Sequence, residues 1–287
     1  MNKATNGWVS GFLGVLIFSG SLPATRLAVA DFDPLFLTVC RAAIAGVLAG
    51  VLLLIFRQQR PASIDIGPLL VVAGGVVVGF PFLTALALQY VTSAHAIIFV
   101  GLLPLSTAIF GVIRGGERPR PAFWIFSAAG SFLVAGFALI QNRESSPIGD
   151  ALMLASIIVC GLGYAEGARL SRRLGNWQVI SWALVLSLPL MLPLSFYLPP
   201  DSWAGIGQPA LFSLAYVSLF SMLIGFVFWY RGLAQGGIAA VGQLQLLQPF
   251  FGLLLASVIL HEKVGWALIV VNIAVVLCVA AARRFAK

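Results

Sequence analysis

Gln245 and Gln248 stand three residues apart, on one face of a helix, inside an otherwise apolar run. Helix rise puts them roughly 10–15 Å in from the end of that run. A carboxamide both donates and accepts, so the pair could hold either end of a zwitterion without the cost of burying a fixed charge. Glutamine also joins helices to one another within membranes, and the residues alone leave both readings open. Aromatic side chains at similar depth, Phe82, Phe99, Tyr164 and Trp229, could wall an apolar or aromatic group by stacking and area burial. Ser19 falls at the same depth in the first run. His95, just inside the end of the fourth run, could bind a solute or titrate near neutral pH. All of this is binding chemistry. His95 and His261 are far apart, and no HExxH, GxSxG or paired-Asp motif accompanies them, so an enzyme would lack its nucleophile, base and metal ligands. Neither cofactor nor metal is expected.

Four kinds of residue must support such a site. Pro81, Pro104 and Pro249 each remove a backbone donor and free a carbonyl in the middle of an apolar run, which suits a hinge beside a polar cavity. Arg41 is the only base well inside a run and needs a partner or a wet cavity. Kink-freed carbonyls or Asp150 are the expected partners, and a structural tether is the expected role. Glu117 and Glu262 close two related segments as structural charges. Glu166, one turn from the end of the sixth run and three residues from Arg169, reads as an ion pair at the membrane edge.

Those segments are Ala96–Arg118 and Val241–Lys263. Moving 145 positions along carries Pro104 onto Pro249 and Glu117 onto Glu262, with the same thirteen-residue spacing from proline to acid. A repeat at half the chain length, each copy an interrupted apolar helix closed by an acid beside a base, is a frequent carrier layout.

The chain has 287 residues, 60% hydrophobic and 9% charged, with a mean hydropathy of +1.03. A water-soluble domain could not hide that much apolar surface, so the expectation is one polytopic membrane domain in contact with a lipid bilayer. Apolar runs fall at about 7–27, 34–56, 67–89, 92–113, 121–140, 149–170, 177–198, 210–231, 238–260 and 264–283, each long enough for a tilted helix across roughly 30 Å of hydrocarbon. They predict an all-α fold of ten transmembrane helices. The polar join near Gln141–Gly149 divides them into repeat one, residues 1–142, and repeat two, residues 148–287. Thirteen of the 17 Lys and Arg fall on the side of the N-terminus, three on the other, and Arg41 within a span. Both termini are therefore expected in the cytoplasm of a plasma (inner) membrane. Five spans per repeat then invert the second copy relative to the first, around a central cavity. The net charge of +8 is spread singly between apolar runs and builds no nucleic-acid surface. Cys40, Cys160 and Cys278 read as small packing residues. The oligomeric state is left open, and a monomer satisfies the pattern.

Leu103-Pro104 and Gln248-Pro249, followed by Gly-Glu-Arg or His-Glu-Lys, together with Cys40-Arg41 and Gly149-Asp150, resemble the drug/metabolite transporter superfamily, EamA type. The second repeat has His261 where the first has Gly116. The resemblance implies ten helices in inverted five-plus-five order and export of small metabolites, and within the superfamily the chain is most similar to YddG-type exporters of aromatic and other neutral amino acids. It thus implies an amino acid-like small-molecule substrate. A drug or other metabolite exporter is the nearest alternative, and a channel or structural membrane subunit the alternative of another class. No carboxylate occupies the middle third of any span, so the expected transport is uncoupled, or weakly coupled through His95 or Glu166.

Overall fold

A computed structural model of the chain describes residues 3–91, 96, 99–141, 146–200, 202–248, 250–252, 254–255 and 266–286. Among them the secondary structure is entirely helical. The helices are α1 (Lys3–Ser19), α2 (Ser21–Ala28), α3 (Pro34–Ile55), α4 (Ser63–Val72), α5 (Phe80–Ala87), α6 (Leu103–Gly115), α7 (Pro121–Gln141), α8 (Pro147–Leu174), α9 (Asn176–Tyr197), α10 (Gln208–Tyr216), α11 (Gly225–Gly236), α12 (Ile238–Gly242) and α13 (Trp266–Phe285). Six continuous helical stretches among the described residues are long and apolar enough to cross a membrane: Thr5–Ala28, Pro34–Ile55, Ser63–Ala87, Pro147–Leu174, Asn176–Tyr197 and Gln208–Gly236.

Their boundaries follow from local chemistry. Asp33 starts α3 by accepting from the Leu35 and Phe36 amides at 2.8 and 3.2 Å, with Pro34 in the first turn where its missing N–H costs nothing. Ser146 and Pro147 open α8 in the same way. Two stretches change winding midway. Ala73–Gly79 is π-helical between α4 and α5, and Val217–Ile224 is π-helical between α10 and α11. Moved on by the 145-position offset, 73–79 becomes 218–224, inside the second π segment. Pro81 explains the first, because its ring would press on the carbonyl four residues earlier in a regular helix; the second has Phe226 at the matching position and widens without a proline. Pro104 sits in the first turn of α6, after a turn at Gly101–Leu102, so it opens a new helix instead of bending an old one. Pro249 lies outside the described residues.

Packing pairs α1 with α11, α3 with α9, α7 with α13, and α8 with α5 and α6. Exchanging each element for its counterpart 145 positions away leaves the main pairings intact, since α1 against α11 becomes α8 against α5. Glycines permit the closest approaches. Gly75 meets α8 closely, for a Cβ there would come 2.5 Å from the Val159 carbonyl oxygen and 3.0 Å from the Gly163 Cα. Comparably close is the α1–α11 contact through Gly7, Gly11, Gly232 and Gly236, where a Cβ on Gly232 would lie 2.7 Å from the Gly11 backbone. The outer surface is apolar: Leu54, Ile125, Phe132, Phe196 and Phe212 are 67–79% exposed. An apolar coat this continuous belongs against acyl chains, not water.

One end of the bundle gathers the start of α1 and the end of α13, as Arg283 lies over the Trp8 ring at 4.5 Å. The Arg120 amide, just ahead of α7, donates to the Phe285 carbonyl at 3.0 Å at the same end. Gly232→Ala is expected to lower the thermal unfolding midpoint of the purified protein, because overpacking against backbone costs about 1–3 kcal/mol. Gly67→Ala, whose added methyl would meet nothing within 4 Å, is expected to leave it unchanged or raise it. Equal midpoints for the two variants would contradict close packing of α1 on α11.

Candidate functional site

Where the helices change winding, they enclose a cavity. Its walls come from α1 and α2 (Phe18, Ser21, Leu22, Thr25), α3 (Arg41), the first π segment and α5 (Val76, Phe80, Pro81, Thr84), α6 (Leu103), α8 (Tyr164), the second π segment and α11 (Ser221, Phe226), and Gln248. Three pairs of these, Val76 with Ser221, Pro81 with Phe226 and Leu103 with Gln248, are counterparts at the 145-position offset. Equivalent positions of the two halves thus face a common space. Its free volume is about 30 Å³, room for a water or two and far below the roughly 300–1,000 Å³ of a ligand pocket.

Polar groups at this wall are incompletely satisfied. Gln248 donates from Nε2 to the Phe18 carbonyl at 3.3 Å, leaving Oε1 without a partner. Thr84 Oγ1 and Arg41 Nε are also buried without partners. Arg41 Nη2 donates to the Val217 carbonyl at 3.3 Å and to Ser221 Oγ at 3.2 Å, and Ser21 donates to the same Ser221 oxygen at 2.8 Å. Buried polar atoms are normally hydrogen-bonded; these three sit on one cavity, where a polar guest would satisfy them, among thirteen such atoms in the described residues. The apolar wall is aromatic. Phe18 meets Phe226 edge-on at 5.0 Å, and Tyr164 meets Phe226 at 5.9 Å.

The sequence candidates divide accordingly. Gln248, Tyr164 and Pro81 line the cavity. Gln245 is fully buried one layer behind, beside Tyr164, with neither amide atom in a hydrogen bond of good geometry. Trp229 is a second-layer ring too, 5.5 Å from Tyr164. Ser19 turns back to its own helix, donating to the Val15 carbonyl at 2.7 Å. Phe82 and Phe99 are half-buried and absent from the described lining. His95 and Glu262 lie outside the described residues. Phe18, Phe80 and Phe226 were missed among 21 phenylalanines, although depth along the first, third and eighth runs points to their neighbourhood.

Contacts tie the helices to one another at both ends of the described bundle. At the end that holds the chain's start, Gly116 adopts a left-handed turn (φ 67) after α6, directing Glu117 to the start of α12. The Glu117 carboxylate accepts from the Ile238 and Ala239 amides at 2.6 and 2.7 Å, and lies 3.5 Å from Arg172. Those amides are the donors a helix start leaves unpaired, and the helix dipole favours an anion there. Glu166, fully buried, is held by Arg114 at 2.8 Å and Arg169 at 2.6 Å, and Asp65 pairs with Arg173. At the other end Arg26 donates to the Leu88 carbonyl, Asp31 accepts from the Gly207 amide at 2.8 Å, and Trp203 packs on Phe32 and Phe36.

A small internal space bounded by equivalent positions of the two halves fits a carrier. The sequence matches the EamA-like transporter family twice, over residues 5–140 and 147–283. The chain belongs to the EamA-like transporter family. As a member it is a multi-pass membrane transporter of a small-molecule substrate. It is 86% identical over its whole length, and that of the relative, to the uncharacterized transporter YdeK of Bacillus subtilis (strain 168). It is 24% identical to an uncharacterized transporter of Archaeoglobus fulgidus, over 88% of each chain. A solved crystal structure superposes on 98% of both chains with a TM-score of 0.77 at 22% identity, a likeness of fold.

Glu117→Ala removes both charge-assisted bonds to the start of α12, each of a kind worth about 1.5–3 kcal/mol. Its unfolding midpoint is expected to fall by several degrees, and further than that of Arg172→Ala, whose 3.5 Å partner contact is half-exposed. An Arg172→Ala loss as large as that of Glu117→Ala would contradict the capping role.

Proposed function

We propose that the chain exports small amphipathic metabolites, best fitted by aromatic and other neutral amino acids, through alternating exposure of the central cavity. The observation that carries this reading is the cavity wall. An amide oxygen of Gln248 without a partner faces the same space as the Tyr164, Phe18 and Phe226 rings, a polar contact joined to an aromatic surface. The likeness to YddG-type exporters noted from the sequence points the same way.

In this proposal ten spans are arranged as two five-helix repeats, residues 1–142 and 148–287, inserted in opposite senses. The matched contacts at the 145-position offset support it, as does the meeting of the start of α1 with the end of α13. The positive-inside bias puts both termini in the cytoplasm of the plasma membrane. The two interrupted hairpins rock against the remainder with Pro81, Pro104 and Pro249 near the pivots. Gln245 supports Tyr164 from behind, while Phe82, Phe99, Trp229, Ser19 and His95 come into play only as the cavity widens. Transport runs downhill without an ion, because the buried acids among the described residues, Glu166 and Asp65, are already paired with arginines.

Counterflow of radiolabelled phenylalanine, tryptophan, leucine and threonine in liposomes containing the purified protein tests this. Saturable exchange is expected for at least the aromatic pair, slowed about tenfold or more in Gln248→Ala, the size of one lost hydrogen bond to a charged group. Absence of exchange for every amino acid would defeat the substrate assignment. Normal exchange in both Gln248→Ala and Gln245→Ala would remove the glutamines from the path. Accumulation that depends on an imposed proton gradient would overturn the uncoupled mode.

A further inference from the structure

Arg41 is the one charged side chain among the described residues that line the cavity. It is 5% exposed. A guanidinium carries five N–H donors, yet both of its hydrogen bonds leave from a single nitrogen, Nη2. Both are long, and both end on neutral oxygens, the Val217 carbonyl and Ser221 Oγ. Its Nε has no partner. The ion pairs among the described residues use Glu166, Glu117 and Asp65, each with other arginines. A cation this deep in a membrane protein needs an anion or water, and the contacts made by Nη2 orient the group without neutralising it. The Val217 carbonyl stands at the head of the second π segment, so the same change of winding that shapes the cavity aims the guanidinium. Across the same space Gln248 Oε1 is an acceptor without a donor.

We propose that Arg41 is the specificity residue of this cavity, its guanidinium binding a carboxylate on the transported solute while Gln248 Oε1 accepts from a donor, such as an ammonium, at the solute's other polar end. The proposal rests on the carrier reading of the cavity but not on the solute's being an amino acid. Arginine suits the task because its planar fork matches a carboxylate with two parallel hydrogen bonds, which a lysine cannot reproduce.

The test compares acids with their uncharged amides. L-phenylalanine, 3-phenylpropionate, L-phenylalaninamide and phenethylamine are added to the purified full-length protein in detergent, along with L-leucine and L-threonine and their amides. The unfolding midpoint is followed against probe concentration. At least one acid is expected to stabilise the wild-type protein at concentrations tenfold or more below its amide. That preference should disappear in Arg41→Gln and survive in part in Arg41→Lys. A purely structural tether would lower the starting midpoint of Arg41→Gln but leave the acid-to-amide ratio unchanged. The proposal is overturned if the wild-type protein responds to amides as well as to acids, or to no acid in the panel; neither outcome needs a variant that folds. It is also overturned if Arg41→Gln keeps the preference. Stabilisation by 3-phenylpropionate with none by any amino acid would defeat the amino acid reading and leave Arg41 as the carboxylate site.

Discussion

Within a hydrocarbon layer a backbone amide or carbonyl has no water to pair with, so every departure from regular helix must be repaid by protein or by something admitted to the interior. The departures here are concentrated. The π segments Ala73–Gly79 and Val217–Ile224, the fresh helix start at Leu103-Pro104 and the tight 3₁₀ turn Gln243–Leu247 all border or adjoin one cavity. Elsewhere α3 and α8 run on for 22 and 28 residues, while α9 carries Pro189 and Pro193 outside the cavity lining. At the cavity, irregular backbone occurs together with unpaired polar atoms of Arg41, Thr84 and Gln248, and a polar guest could satisfy them.

The two closures use different chemistry. At the end carrying the chain's start, three carboxylates are set against arginines, and the Glu117 carboxylate also pins one helix start. The opposite closure relies on one backbone-directed arginine, one aspartate on a backbone amide, and the ring contacts of Trp203. Glycine contacts such as Gly11 on Gly232 hold backbone against backbone and leave those helices to move as one body, so flexing falls on the re-wound segments.

Much of this was legible in the sequence, for identifiable reasons. Spans show because an unbroken apolar run of about 20 residues has few other uses; the run at 34–56 became Pro34–Ile55, and that at 177–198 became Asn176–Tyr197. The offset relating Pro104 to Pro249 also relates the two π segments, although winding itself leaves no pattern in hydropathy. Gln248 stood out because a carboxamide is rare at that depth. The aromatic wall did not, because in a chain with 21 phenylalanines a ring that lines a cavity has the same periodicity as one that packs a core. Phe80 and Phe82 are two residues apart on different faces of α5, and hydropathy alone does not say which of the two lines the cavity. Arg41 read as a tether because a sequence reveals a charge within a span but not which of its nitrogens are used.

The position of Glu166 bears on how the ionic end could open. Its carboxylate is fully buried while Arg114 and Arg169 are 40% and 45% exposed. Exposed arginines lose little when a pair breaks, since water takes their charge; a buried carboxylate stripped of partners loses far more. Truncating both arginines would therefore strand the acid, whereas a rigid rocking that admits water along α8 would hydrate acid and bases together. The network thus resists loss of its members more than it resists concerted opening, which is the property a reversible closure requires. Glu117 differs, because its two amide donors belong to the start of α12, and backbone donors parted from their acceptor must find water at once. Motion at this end is therefore easier between α6 and α8, where side chains alone are exchanged, than between Glu117 and α12, which are expected to travel together.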